Sequence, residues 1–347
     1  MAVKHIVPRA GSAVRLKPLL VVLGAAALAV SAAACGGGSA TPSTSPSAPA
    51  TSAAPTPVPT NALSGRPGKN GPVLAVKLDN TDNSHPHAGL SEADVVYLEE
   101  VEWGLTRYVA VFSSTVPKVL GPIRSARIAD LELLPQYGKV AFAFSGQNPR
   151  LGPVIAKAPL YNVSAEVSGT GYWRQSGRSA PYDLFAHGEQ LLARAPHAVK
   201  AHSTGSTFAK KRPHGGQRVR TMTATWPDAT AQFTWSPAQG RWLLTMDGDP
   251  EKAVEGPRLG GTTVIVQYCH VYDSGYGDKF GGVTPMTDTV GSGKAVVFRN
   301  GRMYRVTWKR PTEADGTHWL YRGHDLPLAP GQVWILLENA QRPVTTH

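Results

Sequence analysis

Two arginines three residues apart are the side chains whose spacing most directly suggests chemistry in this sequence. Arg124 and Arg127 lie in the segment Gly121-Pro122-Ile123-Arg124-Ser125-Ala126-Arg127. Pro fixes φ and Gly tolerates a sharp bend, so the segment predicts a turn followed by a helix that Ser125 caps and that ends near Pro135. Two guanidinium groups beside the free amide groups of a helix N-terminus would bind an anion well.

An acidic run gives the same arginines a structural alternative. Glu99, Glu100 and Glu102 precede them in the chain, and arginines near carboxylates often form ion pairs that need no ligand. The sequence therefore supports two interpretations of the arginine pair, an anion-binding site and a set of structural salt bridges.

Carboxylates provide a catalytic alternative. Hydrolysis of a glycan needs two carboxyl groups at a defined separation, one of which acts as the acid. The sequence does not fix that separation, and the candidates are Asp79, Glu99, Glu102 and Asp130. Complete motifs of other enzyme classes are missing. There is no CxxC or HExxH, and Gly291-Ser292-Gly293-Lys294 lacks the first Gly and the final Ser or Thr of a phosphate-binding loop.

Histidine and cysteine form no complete metal or redox motif. His85 and His87 flank Pro86 and could hold a metal only with partners from distant parts of the chain. Cys269 ends an apolar run and is expected to be a buried strand residue rather than a nucleophile. From the sequence we therefore predict no metal site and no cofactor.

Residues 1–34 predict a lipoprotein signal peptide. Four cationic residues precede or border an apolar stretch of 12 residues, Leu19–Val30, which is too short for a comfortable membrane span. Ala32-Ala33-Ala34 then leads into Cys35, an order that is typical of a bacterial lipobox. Cleavage would leave Cys35 as an N-terminus carrying diacylglycerol and palmitate. A cut at an ordinary signal-peptide site, with Cys35 incidental, is the alternative.

Residues 35–65 predict a disordered tether between the membrane and a folded body. They consist mostly of Gly, Ser, Thr, Ala and Pro, which bury too little apolar surface to offset the entropy of ordering. The formal charge of +11 falls to +7 once the four cationic signal residues are removed. This basic balance suits an anionic membrane surface or an acidic wall polymer, and nucleic acid is not expected on the extracytoplasmic face of the cell membrane.

The remaining chain predicts an α+β body in two parts. In residues 66–215 β-like runs alternate with helical ones, which favours a mixed sheet with helices on it. Residues 216–343 are β-rich and pack with the first part, and Asn300-Gly301 between two apolar runs predicts a hairpin. The six tryptophans of this part are expected mainly to pack in its core rather than to form a sugar platform.

Four motifs that occur in order resemble the YerB-like family of bacterial lipoproteins. They are Val76-Lys77-Leu78-Asp79-Asn80, Gly89-Leu90-Ser91-Glu92-Ala93-Asp94-Val95-Val96-Tyr97, Leu105-Thr106-Arg107-Tyr108-Val109-Ala110-Val111-Phe112 and Gly121-Pro122-Ile123-Arg124-Ser125-Ala126-Arg127. The resemblance implies an α+β body in two parts and a lipid anchor, and it implies no catalytic residues. Where members of the family usually have Ala-Pro-His-Asn, this chain has Ala180-Pro181-Tyr182-Asp183, which puts a role for histidine there in doubt.

Two hypotheses of function follow. The favoured one is a non-catalytic, membrane-anchored envelope module that binds an anionic wall polymer, a lipid-linked polymer or an envelope protein. Its ligand contacts would be Arg124, Arg127, Arg107, Asp79 and Asn80. The alternative is an envelope hydrolase or transferase in which carboxylates do acid–base work while the arginines stabilise a phosphate or an oxyanion.

Overall fold

The described part of the chain is residues 58–347 of a computed structural model. The predicted signal peptide, Cys35 and the tether up to residue 57 lie outside the described residues. Leu63 is only 2% exposed, and Ser64 Oγ donates to Asp94 Oδ1 at 2.7 Å. Residues 60–65 thus belong to the body, which begins earlier than residue 66 because an apolar side chain and a buried hydrogen bond attach this segment. Within the described residues, no helix is long and apolar enough to cross a membrane.

The first part of the body contains seven strands, three short α-helices and five short 3₁₀ helices. Its α-helices are α1 (Ile128–Leu133), α2 (Gly152–Lys157) and α3 (Gly188–Ala193). Its strands are β1 (Leu74–Asp79), β2 (Val95–Glu100), β3 (Thr106–Phe112), β4 (Ala141–Ala143), β5 (Tyr161–Asn162), β6 (Tyr172–Arg174) and β7 (Leu184–Ala186).

The second part consists of strands, as its sequence predicts. They are β8 (Gln217–Arg218), β9 (Thr221–Trp226), β10 (Ala229–Ser236), β11 (Arg241–Met246), β12 (Asp249–Pro250), β13 (Gly260–Gly261), β14 (Thr263–Cys269) and β15 (Val271–Gly277). The remaining strands are β16 (Val283–Thr287), β17 (Gly291–Arg299), β18 (Arg302–Arg310), β19 (His318–Tyr321), β20 (His324–Asp325), β21 (Val333–Asn339) and β22 (Thr345–Thr346). The predicted hairpin at Asn300-Gly301 is confirmed, since it joins β17 to β18.

Helix α1 begins later than the sequence predicts. It starts at Ile128 rather than after Ser125, and Arg127 occupies the position that precedes its first turn. The Arg127 N–H donates to Asp130 Oδ2 at 2.6 Å, so the carboxylate of Asp130 satisfies an amide that the first turn leaves free. Residues 121–126 are instead extended, because their backbone hydrogen-bonds to neighbouring segments of the sheet.

One long mixed sheet runs through both parts of the body. Its central order is β17-β14-β21-β2-β3-β1-β4-β5. Strand β21 pairs in parallel with β14 on one side and with β2 on the other. The two sequence regions therefore share one sheet, and the predicted α+β class with a β-rich second part is confirmed.

A second sheet, ordered β12-β11-β10-β9-β22, packs on one face of the long sheet. The Phe233 and Trp334 rings lie 5.6 Å apart between the two sheets, and the Trp242 and Phe298 rings lie 5.5 Å apart. Five of the six tryptophans of this part are buried, namely Trp226, Trp242, Trp308, Trp319 and Trp334. The packing role that the sequence predicts for them is confirmed.

The other face of the long sheet carries α1 and the second apolar core. Alternate residues of the central strands point to this face, among them Ala75, Tyr97 and Val109. The parallel strands β1, β2, β4 and β14 all end at the same edge. The segments that follow them therefore meet there, and in sheets of this kind such an edge is where ligands usually bind.

Candidate functional site

Charged side chains replace apolar ones where β1, β2 and β3 reach this edge. Lys77 and Asp79 lie on β1, Glu99 lies on β2 and Arg107 lies on β3. The register places Arg107 directly opposite both Asp79 and Glu99. All four residues are at least nine-tenths buried, and a buried charge is costly unless a neighbour compensates for it.

Lys77, Glu99 and Asp130 form an ion cluster of their own. Lys77 Nζ donates to Asp130 Oδ1 at 2.8 Å and also to Glu99 Oε1. Burial raises the pKa of Glu99 to about 7, while the Lys77 ammonium opposes this rise and the Asp130 carboxylate adds to it. Two carboxyl groups thus share one ammonium group. None of the three residues lines the cleft described below.

Arg124 reaches the site from an extended segment. The Arg124 N–H donates to the Lys77 carbonyl at 2.9 Å, and the Ala126 N–H donates to the Gly146 carbonyl at 3.0 Å. The prediction that free amide donors lie beside the arginines is therefore wrong, because these N–H groups already donate to backbone carbonyls of adjacent segments. What Arg124 offers a ligand is its guanidinium, which forms an ion pair with Asp79 Oδ2.

Asp79 and Asn80 support the arginines from behind. Asp79 Oδ1 accepts hydrogen bonds from the backbone N–H groups of Asn80 at 2.7 Å and Thr81 at 2.9 Å. Burial by itself would raise the pKa of Asp79, but the Arg124 and Arg107 guanidiniums lower it below its ordinary value. Neither Asp79 nor Asn80 lines the cleft, so the structure places these two predicted ligand contacts one layer behind it.

Arg127 is held by a two-point ion pair. Its Nε donates to Glu102 Oε1 at 2.6 Å, and its Nη2 donates to Glu102 Oε2 at 2.5 Å. Thr284 Oγ1 also donates to Glu102 Oε1. The structural pairing that the sequence allows for is thus present for Glu102. Glu100 pairs instead with Arg342, and Glu99 pairs with Lys77.

Arg107 differs from the other two arginines because no carboxylate pairs with it. Its Nη1 donates to the Ser125 carbonyl at 3.1 Å, and it forms no ion pair within residues 58–347. Burial, the largest cause, and the positive charges of Arg127 and Arg124 together lower its pKa to about 9, while the Asp79 and Glu102 carboxylates partly oppose this shift. At neutral pH Arg107 therefore keeps a positive charge that its surroundings disfavour.

The three arginines converge on a cleft of about 790 Å³. This volume falls within the range of small-molecule sites in proteins. Four cationic side chains but only two carboxylates line it, and the cationic ones are Arg107, Arg124, Arg127 and Lys279. Arg127 is matched by Glu102 and Arg124 by Asp79, so the charges of the lining that have no ion-pair partner among the described residues are the cations Arg107 and Lys279 and the carboxylate of Asp278.

One wall of the cleft comes from a hairpin that the sequence does not connect with the arginines. Strands β15 and β16 form it, and its tip presents Lys279 and Phe280. Phe280 is 74% exposed. Asp278 is held in the turn by Trp103 Nε1, which donates to Asp278 Oδ2 at 3.1 Å. In the sequence this hairpin is marked only by a glycine-rich segment that contains one aromatic residue, Phe280. Nothing in the sequence places that segment at this edge of the sheet.

The Ala180-Pro181-Tyr182-Asp183 segment, where the sequence departs from the family pattern, also reaches this region. Ala180 and Pro181 line the cleft. The Arg124 guanidinium carbon lies 5.6 Å from the centre of the Tyr182 ring, within the range of a cation–π contact. In this chain an aromatic ring, that of Tyr182, thus supports Arg124.

The four carboxylates of the catalytic alternative do not come together in the cleft. Glu99 and Asp130 belong to the Lys77 cluster, and Asp79 lies behind Arg124. Glu102 alone lines the cleft, and both of its oxygens are engaged by Arg127. Although burial would raise the pKa of Glu102, its hydrogen bonds with Arg127 lower it, which is unfavourable for a proton donor at neutral pH.

The two histidines of the sequence analysis do meet a distant partner. His85, His87 and Glu251 form a group whose possible metal-ligand atoms lie within 4.8 Å of one another. Glu251 belongs to the second part of the body and follows β12. Sequence reasoning could not identify this partner, because no spacing rule joins positions so far apart in the chain.

The fold and the cleft together define an α+β protein with one sheet shared by two sequence regions and an arginine-lined site at its edge. Two family models match these two regions. The one described as the N-terminal domain of a protein of unknown function (DUF3048) matches residues 60–202. The one described as the C-terminal domain of the same family matches residues 221–335. The chain belongs to the DUF3048 family, and the predicted resemblance is confirmed.

A curated relative and a solved structure agree with this assignment. The chain is 23% identical over 283 residues to "Putative lipoprotein YerB" of Bacillus subtilis, covering 76% of this chain and 80% of the relative. It also matches the crystal structure of the YerB protein from Bacillus subtilis with a TM-score of 0.69 and 19% identity, covering 82% of this chain and 99% of that one. The structural match concerns the fold. The relative's description supports the prediction of a lipoprotein associated with a membrane.

Proposed function

We propose that this protein is an extracytoplasmic lipoprotein, anchored through Cys35, whose cleft binds an anionic group of an envelope polymer without transforming it. The polymer would be a wall polymer or a lipid-linked precursor that carries phosphate or carboxylate groups. The observation that carries the proposal is Arg107, a nine-tenths buried cation in the wall of a cleft, without a paired carboxylate in the described chain.

An anion at Arg107 would remove an unfavourable interaction as well as form a favourable one. The pKa of Arg107 is lowered by burial and by the charges of Arg127 and Arg124, and a bound negative charge would compensate for both causes. Guanidinium groups bind phosphate and carboxylate with paired hydrogen bonds that are stronger than neutral ones. Arg124 and Lys279 also line the cleft and can contact the same ligand.

The other side chains of the cleft favour a ligand with an apolar or sugar portion next to its charge. Leu151, Pro149, Pro181 and Phe280 border the arginines. Aromatic and proline surfaces bind sugar rings and alkyl chains by excluding water, whereas an inorganic ion would leave them unused. No observation on the described residues favours the hydrolase alternative, because Arg127 engages both oxygens of Glu102, and the Asp278 carboxylate accepts hydrogen bonds from Trp103 and from the Phe280 and Gly282 N–H groups.

Binding of purified anionic wall polymer tests the proposal. The full chain in mild detergent would be titrated with a teichoic-type polymer, and a neutral wall glycan would serve as the reference ligand. We expect the polymer to bind wild type and to bind Arg107→Met at least tenfold more weakly. Arg220→Met removes the same charge from an exposed position outside the cleft and is expected to bind like wild type.

Two results would contradict the proposal. Equal weakening by Arg107→Met and Arg220→Met would show that the polymer responds to overall charge rather than to the cleft. Absence of binding to the folded wild-type protein would remove anionic polymers as the ligand class. Circular dichroism of each variant would confirm that the fold is intact before binding is compared.

A further inference from the structure

We propose that His85, His87 and Glu251 form a binding site for one divalent transition-metal ion of the zinc class. The histidines lie in the loop after β1, and Glu251 lies in the segment after β12. The three side chains belong to the two different family regions of the chain. A metal bound here would therefore connect the loop to the second sheet, independently of any ligand in the arginine cleft.

The hydrogen bonding of His87 leaves one ring nitrogen available to a metal. Its Nε2 lies 2.7 Å from the carbonyl oxygen of Asp79. A carbonyl can only accept, so Nε2 carries the proton and Nδ1 has a free lone pair. His87 is fully buried, and its Nδ1 has no hydrogen-bond partner in the described part of the chain. Such an atom is costly to bury, and a metal ion would satisfy it.

The contact between His85 and Glu251 needs a cation between the two side chains. His85 Nε2 lies 3.1 Å from Asn80 Oδ1, and Asn80 Nδ2 donates to Thr106 Oγ1 at 2.7 Å, which directs the amide oxygen toward the histidine. His85 therefore donates from Nε2. Its Nδ1 lies 2.8 Å from Glu251 Oε1, where two lone pairs would repel each other unless a proton or a metal ion lies between them.

Of two features outside the ligand atoms, the outer hydrogen bonds of the histidines support a metal and the charge of Arg178 opposes one. Ligating histidines usually donate their second ring N–H to a carbonyl or carboxylate oxygen, which fixes the ring, and the Asp79 carbonyl and Asn80 amide oxygen fill this role here. Arg178 holds the loop by donating to the Ser84 and Pro86 carbonyls at 2.9 and 2.7 Å. Its charge would oppose a cation, and the Glu251 carboxylate would have to compensate.

The ligand set indicates the class of metal. Two imidazole nitrogens and one carboxylate oxygen, with a fourth position left for water, are typical of zinc sites. Calcium and magnesium prefer oxygen ligands alone. Tetrahedral zinc with bonds of about 2.0–2.1 Å requires ligand atoms about 3.3 Å apart, which small side-chain movements from the present arrangement can provide. The His85 side chain is 18% exposed and gives the ion a path from solvent.

Calorimetric titration with zinc tests this site. The full chain would be purified in detergent without a polyhistidine tag, stripped with EDTA and dialysed before ZnCl₂ is added. We expect one ion per chain in wild type and at least tenfold weaker binding in Glu251→Gln, which keeps the shape and can still accept a hydrogen bond. Glu255→Gln makes the same charge change at an exposed neighbour and should bind zinc like wild type.

A spectroscopic measurement distinguishes this site from weak binding to surface histidines. Cobalt(II) in a four-coordinate nitrogen and oxygen site gives intense visible absorption. We expect this absorption in wild type, its displacement by zinc and its loss in Glu251→Gln. If Glu251→Gln fails to fold, His85→Gln at the partly exposed position replaces it. The proposal would be overturned if wild type bound no zinc, or if the folded Glu251 or His85 variant bound zinc as tightly as wild type. A protonated His85 would then remain as the partner of Glu251.

Discussion

Replacing Arg107 with methionine should make the protein more stable. The pKa of Arg107 falls from 12.5 to about 9 through burial and the charges of Arg127 and Arg124. At about 1.4 kcal/mol per pKa unit, keeping this guanidinium charged costs at most roughly 5 kcal/mol. Methionine removes the charge and retains an apolar stem, but it also removes the hydrogen bond to the Ser125 carbonyl, which is worth roughly 1.5–3 kcal/mol for a charged donor. The free energy of unfolding should rise by about 1–3 kcal/mol.

Thermal unfolding followed by circular dichroism measures this effect. For a protein of this size we expect Tm to rise by about 2–6 °C in Arg107→Met, at about 2 °C per kcal/mol. Arg310 provides a matched control, because it is also buried but its guanidinium donates to Thr289 Oγ1 and to the Glu132 carbonyl, both at 2.8 Å. Arg310→Met should lower the free energy of unfolding by about 2–5 kcal/mol, since it leaves these acceptors unpaired.

The comparison of the two variants decides whether Arg107 is kept for a ligand or for the fold. A fall in Tm of similar size in both variants would refute the reasoning, because it would show that the charge of Arg107 is compensated within the free protein. Higher stability together with lost polymer binding would instead identify Arg107 as a residue retained for binding at a cost in stability.

Two further predictions concern the buried cluster and the start of the body. The pKa of Glu99 is about 7 in the folded protein and 4.5 ordinarily, so the folded state holds a proton that the unfolded state releases, and stability falls as pH rises from 4.5 to 7. In Glu99→Gln the free energy of unfolding should no longer fall with pH, so its excess over wild type should grow by up to roughly 3 kcal/mol between pH 4.5 and 7, as measured by urea unfolding. An excess that stays constant with pH would contradict the raised pKa of Glu99. Leu63→Ala should lower the free energy of unfolding by about 2–5 kcal/mol in the same assay. An unchanged urea midpoint would show that residues 60–65 do not stabilise the body and belong to the tether.

The fold was predictable from the sequence where local and global preferences agree. Strands such as Thr221–Trp226 and Arg241–Met246 alternate buried residues with less buried ones, and this period of two is a local property of the chain. Asn300-Gly301 also predicts its turn by itself, because Asn300 has a φ of 49° and Gly301 a φ of 67°, as the tight hairpin turn requires.

The helix expected at Ser125 shows where local preference fails. Ser125 is a good capping residue, but the Arg124 and Ala126 amides donate to Lys77 and Gly146 carbonyls from other segments. These tertiary hydrogen bonds keep the segment extended, and no pattern within the segment predicts them.

The sequence predicted which arginines line the candidate site, but not their ion-pair partners or the hairpin that completes the cleft. Arg107, Arg124 and Arg127 do line one cleft, as the anion hypothesis requires. Which arginine remains unpaired depends on the register of β1 with β3 and on the reach of Glu102, and Lys279 arrives on a hairpin more than 150 positions away. Such relations are properties of the assembled sheet, so they have no signature in a single sequence.

The position of β21 in the long sheet has a consequence for how the chain acquires its structure. Strand β2 (Val95–Glu100) has β3 on one side and β21 (Val333–Asn339) on the other. Until residues 333–339 are available, one edge of β2 has no partner, although β2 precedes β21 by more than 200 positions and is synthesised before it. Pairings with so large a sequence separation close late and slowly. Folding of the first family region is therefore completed by the second, and a truncated first region would expose an apolar strand edge that invites aggregation.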